Sequence, residues 1–328
     1  MATNIIVGDA LDRLKILPDE SVHCCVTSPP YYGMRNYKCI GQIGLESSPD
    51  KYIKSLVGIF REVLRVLRRD GTLWLNLGDS YVAKDLQGIP WRVALALRED
   101  GWYLRSEIIW HKPNPMPESV TDRPTSAHEK IFLLAKSPGY YYDAEAIKEL
   151  AVMTPQRRGQ IGGKGNPDRA LGDNGNPSCR SLRGDVAVDG DGTRNRRNVW
   201  TVATQPFHGS HFATFPPKLI EPCILAGTSE HGVCGTCGAP WVRSQKGTAK
   251  VCWSHEWRTT GWQPSCTCDA VTISATVLDP FGGAGTTALV ANRLGRDAVL
   301  VELNPEYVRM TVRRLNKDGQ MLDGIAAE

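Results

Sequence analysis

With 328 residues, 41% of them hydrophobic and 23% charged, the chain can bury a sizeable core and fits one large α/β domain or a domain carrying insertions. It has no apolar run of bilayer-spanning length and no signal-like start, so a cytoplasmic protein without a membrane partner is expected, whose ten cysteines point to burial or metal binding before disulfides. The net charge of +4 is modest but uneven: residues 151–200 hold nine Arg and Lys against five Asp, a +4 balance on their own.

The opening "NIIVGDALDRL" reads as a short strand, a turn at Gly8-Asp9 and a helix start, and "VHCCVTSPPY" supplies a second strand ending in a polar loop. In "YIKSLVGIFREVLRVLRRDGTLWLNLGDSY", Leu56, Ile59, Phe60, Val63, Leu64 and Leu67 recur at helical spacing, Gly71 reads as the helix stop, and "TLWLNLG" reads as a buried strand. A second such unit follows, with "WRVALALREDGW" as helix and "LRSEIIWHK" as strand. Strands alternating with helices predict a mostly parallel, doubly wound α/β sheet. Ligands of such sheets gather at the carboxyl ends of strands, where Asp9, Ser28 and Asp79 fall. Asp79 suits a pocket residue and a helix cap equally. From Met153 to about Asn198 the chain turns to Gly, Asn, Arg and Pro, too polar to bury a core of its own. The expectation is a long loop, either merely solvated or using its basic side chains on phosphates.

"SHFATFPPKLIEPCILAG" reads as a turn leading into an amphipathic helix. Cys234 and Cys237 ("CGTC") and Cys266 and Cys268 ("CTC") then flank a Trp-rich spacer. Paired thiolates on two tight knuckles are the donor set of a tetrahedral zinc site, with Cys252 and His255 in reserve; buried free thiols are the plain alternative. In "TVLDPFGGAGTTALVANRLGRDAVLVELN" an apolar strand ends at Asp279, a loop carries Gly282, Gly283 and Gly285, Thr286 and Thr287 open a helix, and the next strand ends in Glu302. Glycines let a ligand approach the backbone, and the acidic residue suits a ribose diol, so this unit reads as a nucleoside site. It lacks the Gly-Lys-Ser/Thr of a Walker A loop and the spacing of a dinucleotide fingerprint.

"TSPPY" early in the chain and "DPFGGAGTT" late in it resemble the amino-methyltransferases of DNA, in the circularly permuted order called the β class. The resemblance covers most of the chain and extends to "VGDAL", "RRDGTLWLNLGDSY", "IIWHKPNPMPES" and "HFATFPPKLIEPCI". It implies a Rossmann-like, S-adenosylmethionine-dependent methyltransferase sheet, to which this sequence adds a basic loop insert and a small zinc-ribbon-like insert. Residues 1–150 are then the catalytic half, 151–200 the basic insert for DNA target recognition, and 201–230 a return to the methyltransferase domain. Residues 231–270 are the zinc knuckle, a departure from the minimal family pattern, and 271–328 the cofactor-binding half. By position, Phe281, Gly282, Gly283 and Gly285 cradle S-adenosylmethionine, with Asp279, Thr286, Thr287 and Asn304 beside them. Glu302 holds the ribose, Asp9 contacts the adenine end, and His211 and Phe212 help close the methionine end.

The resemblance also gives "TSPPYYG" a chemical role. An exocyclic base amine is a poor nucleophile while its lone pair is delocalised into the ring, and acceptors for its hydrogens relocalise that pair. The expected catalytic set is Ser28, Pro29, Pro30 and Tyr31: Ser28 Oγ and the Pro29 carbonyl accept, proline supplying a rigid backbone, and Tyr31 stacks on a base flipped from double-stranded DNA. Arg157, Arg158, Arg196 and Arg197 are the expected phosphate contacts. The family tends to pair Ser-Pro-Pro-Tyr with cytosine N4 and Asp-Pro-Pro-Tyr with adenine N6, so Ser28 favours N4, with N6-adenine as the alternative. A cognate restriction endonuclease and a homodimer are the expected protein partners. Rival readings are a C5-cytosine enzyme, a noncatalytic zinc-dependent DNA-binding protein, and methylation of RNA or protein. The first needs a thiolate nucleophile, but Pro222-Cys223 lies in an apolar helix, so Cys223 reads as a buried small hydrophobe. The intact glycine loop argues against the second.

Overall fold

The computed structural model describes residues 1–151, 193–205, 214–250, 254–318 and 325–327. They fall into two compact units, Met1–Ala146 with Arg197–Val242 and Pro264–Glu328, and Ile147–Arg196 with Arg243–Gln263. Among the described residues no helix is long and apolar enough to cross a membrane.

The first unit begins with β1 (Thr3–Val7) and α1 (Ala10–Leu14), whose first turn is capped by the Asp9 carboxylate on Asp12 N at 3.2 Å. β2 (Val22–Thr27) follows. α2 (Pro49–Val66) starts where the Ser48 hydroxyl accepts from Lys51 N and Pro49 presets the first turn, and it buries Tyr52, Leu56, Ile59, Phe60, Val63 and Val66 along one stripe. β3 (Leu67–Leu77) begins at once, so the helix ends five residues before the glycine expected to stop it. Gly71 serves another purpose: a Cβ there would stand 3.0 Å from His23 O, beside the register shift between β2 and β3 at Val22 and Cys24. The glycine permits close approach of two strands.

α3 (Ile89–Glu99), β4 (Tyr103–His111), β5 (His128–Ala135) and β6 (Val199–Thr201) come next. α4 (Pro217–Gly227), β7 (Thr276–Asp279), α5 (Thr286–Arg293), β8 (Asp297–Glu302), α6 (Pro305–Lys317) and β9 (Ile325–Ala327) follow. The strand β5, "HEKIFLLA", is absent from the sequence reading. The nine strands lie in the order β6-β4-β5-β3-β2-β7-β8-β1-β9, and every neighbouring pair is parallel except those made by β5.

Because successive strand residues alternate faces, Cys25, Leu73 and Leu75 join the apolar core with α2 and α3 while Cys24, Thr72 and Trp74 crowd Gly227 of α4. Helices therefore cover both faces, as a doubly wound sheet requires. The order has one functional consequence. The C-terminal strands β7 and β8 are inserted between β2 and β1, so the loop after β2 meets the loop after β7, with Leu278 opposite Cys25, and the end of β8 meets that of β1, with Glu302 opposite Val7.

In the second unit, Glu149–Leu150 pairs antiparallel with Thr193–Arg194, tied by Arg194 Nε to Glu149 Oε1 at 2.9 Å. Strands Trp241–Lys250 and Ser254–Pro264 form a ribbon whose middle belongs to this unit, with the Arg243 guanidinium 4.4 Å from the centre of the Trp262 ring.

Candidate active site

The carboxyl ends of β1, β2, β3, β7 and β8 open onto one cavity of about 990 Å³. The glycine loop forms part of its wall. Asp279 is buried, and its carboxylate accepts from Thr27 Oγ1 at 2.6 Å, Thr287 Oγ1 at 2.7 Å and Phe281 N at 3.0 Å. Burial pushes its pKa up, and the two hydroxyls and the backbone N–H hold it back. The loop then turns at Gly283 (φ 50°) and Gly285 (φ 71°), and a Cβ on Gly285 would run into Thr311. Glu302 reaches back across the sheet: Oε2 accepts from Gly283 N and Oε1 from Asn304 N, each at 2.7 Å. Burial raises this carboxyl too, against the pull of those N–H groups. The carboxylate thus lies beside a bare backbone turn at the cavity wall, the arrangement a nucleoside diol needs, and the residues present fit S-adenosylmethionine.

Beside it stands the loop after β2. Ser28, Pro29, Pro30 and Tyr31 all line the cavity. The Pro30 carbonyl accepts from Tyr52 Oη at 2.8 Å, anchoring the second proline to α2. Tyr31 Oη donates to Glu129 Oε2 at 2.6 Å and accepts from Asn76 Nδ2 at 2.8 Å. Glu129 also accepts from Asn76 Nδ2 at 3.0 Å and pairs with Lys112 Nζ. The ring of Tyr31 packs on the Gly78 backbone, where a Cβ would stand 2.5 Å from Cε2. A glycine at the end of β3 is therefore what lets the tyrosine lie there.

A family model described as DNA methylase, of N6/N4 type, matches residues 22–313. The chain belongs to this DNA methyltransferase family. Curated relatives agree along nearly the whole length. The type II methyltransferase M.Cfr9I of Citrobacter freundii is 40% identical, over 98% of this chain and 90% of its own. M.SmaI of Serratia marcescens, also a type II methyltransferase, is 38% identical, over 95% and 90%. Among solved structures, the cytosine-N4-specific PvuII DNA methyltransferase superposes with a TM-score of 0.62 at 18% identity, covering 96% of this chain and 86% of that one. A putative DNA modification methylase from Thermus thermophilus, complexed with S-adenosyl-L-methionine, superposes with a TM-score of 0.55 at 23% identity, covering 100% and 99%. The protein is an enzyme that methylates double-stranded DNA, of the N4/N6 amino type.

In this methyltransferase, Asp9, Asp279, Phe281, Gly282, Gly283, Thr286, Glu302 and Asn304 reach the cavity wall together with the Ser28 loop. Gly285 and Thr287 do not. Gly285 packs on α6, and the fully buried Thr287 hydroxyl is turned to Val26 O and Asp279, so both shape the turn from behind. Thr286 is held by Arg314. His211, Phe212, Arg157 and Arg158 lie outside the described residues. Arg196 ends the first segment of the second unit and Arg197 opens the next segment of the first, its carbonyl accepting from Trp200 Nε1 at 2.7 Å. Asp79 lines the cavity and also accepts from Ile89 N at 3.0 Å at the start of α3, so it is both pocket residue and helix partner. Cys223 is fully buried in α4, as its sequence setting implies. Sequence reasoning missed Thr27, Asn76, Lys112 and Glu129. The one signal for Glu129 is a charged triplet, His-Glu-Lys, opening a strand that is otherwise apolar.

The four cysteines also come together. The Cys234 and Cys237 knuckle is closed by Gly238 N to Cys234 O at 2.8 Å, with Gly238 at φ 68°, and Val233–Cys234 pairs with Thr272–Ile273. The sulfurs of Cys234, Cys237, Cys266 and Cys268 all lie within 4.8 Å of one another. Backbone N–H groups of Cys237 and Thr236 pull the Cys234 thiol down to about 7, while the neighbouring Cys237 sulfur and burial push Cys268 up to about 12. A tetrahedral zinc–thiolate site, with bonds of about 2.3 Å, sets its sulfurs about 3.8 Å apart, so this donor set fits the metal. Cys252 and the His255 side chain lie outside the described residues.

Proposed function

We propose that this methyltransferase transfers the methyl group of S-adenosylmethionine to the N4 amine of a cytosine flipped out of the duplex. The observation that carries the reading is that one cavity is lined both by Ser28 and Pro29 and by the Gly282-Gly283 turn and Glu302. Glu302 and the glycine turn hold the nucleoside, and Phe281 adds apolar wall. Ser28 Oγ and the Pro29 carbonyl accept the amine hydrogens and so favour a pyramidal nitrogen with a free lone pair. Tyr31 offers a ring surface to the base. When bound, S-adenosylmethionine supplies an electrophilic sulfonium methyl, and the chain contributes positioning and electrostatics without a covalent intermediate. Ser28 rather than aspartate at the head of the Pro-Pro-Tyr motif supports cytosine over adenine. Modification-resolving sequencing of DNA from cells expressing the protein should show N4-methylcytosine at one recurring sequence. N6-methyladenine in its place would assign the alternative base, and unmodified DNA would sink the reading.

Further proposals concern what surrounds the catalytic loop. Cys234, Cys237, Cys266 and Cys268 hold one structural zinc. Arg157, Arg158, Arg196 and Arg197 contact the phosphate backbone of the target duplex. The relatives' designation as type II methyltransferases supports a bacterial cytoplasmic setting, a cognate restriction endonuclease of matching site, and nucleoid association through DNA; a homodimer is a further proposal.

A further inference from the structure

Ser28, Tyr31 and Glu129 form a hydrogen-bonded chain whose direction is fixed by chemistry. An ionised carboxylate only accepts, so Tyr31 Oη must donate to Glu129 Oε2 at 2.6 Å. The phenol oxygen is then left to accept, and Ser28 Oγ donates to it at 3.3 Å. Both protons point along the chain, from Ser28 through Tyr31 toward Glu129. Asn76 braces the array, donating Nδ2 to Tyr31 Oη at 2.8 Å, to Glu129 Oε2 at 3.0 Å and to Ser28 Oγ at 3.4 Å. Burial and the Glu129 charge push the Tyr31 hydroxyl well up from its ordinary range, so it remains a donor. The second Glu129 oxygen is engaged by Lys112 Nζ, which lies 4.4 Å from the centre of the Trp110 ring. Holding the Tyr31 ring for a base needs its hydroxyl anchored, but not a chain that starts at the Ser28 hydroxyl. An amine that gains a methyl group does need somewhere to send a proton.

We propose that Glu129 is the positioning residue and terminal proton acceptor of a Ser28–Tyr31–Glu129 relay that takes the proton displaced from the base amine during methylation. The proposal rests on the reading of Ser28 as the amine's acceptor. The N–CH3 bond forms as the sulfonium S–CH3 bond breaks, leaving a neutral thioether. One N–H proton passes to Ser28 Oγ, the Ser28 proton to Tyr31 Oη, and the Tyr31 proton to Glu129 Oε2. The methylated amine ends neutral and Glu129 ends as a carboxylic acid, which returns its proton to solvent.

The test is single-turnover methylation of duplex DNA, in H2O and D2O, by wild type, Glu129→Gln, Tyr31→Phe, their double variant and Tyr31→Ala. Calorimetric affinity for S-adenosylmethionine serves as the folding control. Glu129→Gln and Tyr31→Phe each keep the shape and lose one proton step. Each should slow transfer about a hundredfold and lose the solvent isotope effect with cofactor affinity unchanged, and the double variant should be no slower than the slower single. Wild-type rates and isotope effects in both single variants, or losses that multiply in the double, would overturn the relay. If Tyr31→Ala is slow while those two are not, only the relay falls. If Tyr31→Ala is also as fast as wild type, the catalytic reading of the loop falls with it.

Discussion

Glu302 has both oxygens against backbone N–H groups of the loops it joins, at 2.7 Å each, and stands at the wall of the cavity. Its carboxylate braces the Gly283 turn, and in the proposed cofactor site it also meets a ligand hydroxyl. A hydrogen bond to a charged group is worth about 1.5–3 kcal/mol, so Glu302→Ala should weaken S-adenosylmethionine binding by roughly ten- to a hundredfold in calorimetry. Unchanged affinity would remove Glu302 from the cofactor site. Asp279 contrasts with it: Thr27, Thr287 and the Phe281 N–H saturate its carboxylate from within the protein, which suits it to hold β2, the glycine loop and α5 in register.

At the scale of elements, the cysteine knuckle is fastened to the sheet rather than hung from it. Arg68 of β3 donates to the Cys237 carbonyl, and His23 of β2 bonds the Gly238 carbonyl through Nε2 at 3.2 Å. The His23 tautomer follows, because Thr276 N donates to Nδ1 at 3.0 Å, which leaves Nε2 to carry the proton. Purified protein should contain about one zinc per chain, and chelation should lower Tm; a metal-free protein of unchanged Tm and activity would reject the metal. Burial, then the Arg68 charge, lowers the His23 pKa from 6.5 to about 4. Between those values the unfolded chain binds the extra proton and the folded one does not, so stability falls as pH falls through that window. The full loss is on the order of 3 kcal/mol. Urea melts of wild type and His23→Gln from pH 7 to pH 4 should converge as the wild type weakens; parallel curves would show that His23 carries none of the dependence.

For the whole molecule, the substrate is a polyanion, and affinity built on phosphate contacts falls with salt by about 0.9 in log–log slope per neutralised phosphate. Replacing Arg157, Arg158, Arg196 and Arg197 by Gln should weaken DNA binding and flatten its salt slope by up to that amount for each arginine that meets a phosphate. Cofactor affinity should not move, since phosphate contact is the role proposed for all four. A variant with the wild-type slope would return the basic insert to the status of a solvated loop.

The sequence by itself determined the family, the alternation of strands and helices, the glycine turn with Glu302, and the Ser28 loop. All are local signals, a strand running into a turn and often a helix, legible because the residues involved are neighbours in the chain. It misplaced the end of α2, because whether Gly71 stops a helix or admits a strand depends on how near β2 comes. Only the tertiary structure decided what those motifs meet. Thr27 reaches Asp279 across 252 positions and Tyr31 reaches Glu129 across 98, joined by strand order and register rather than by any spacing in the chain. The strand bearing Glu129 was itself unread, its opening His-Glu-Lys polar enough to pass for loop. The physical reason is that a buried carboxylate becomes tolerable only when donors from other strands converge on it, and that convergence belongs to the sheet.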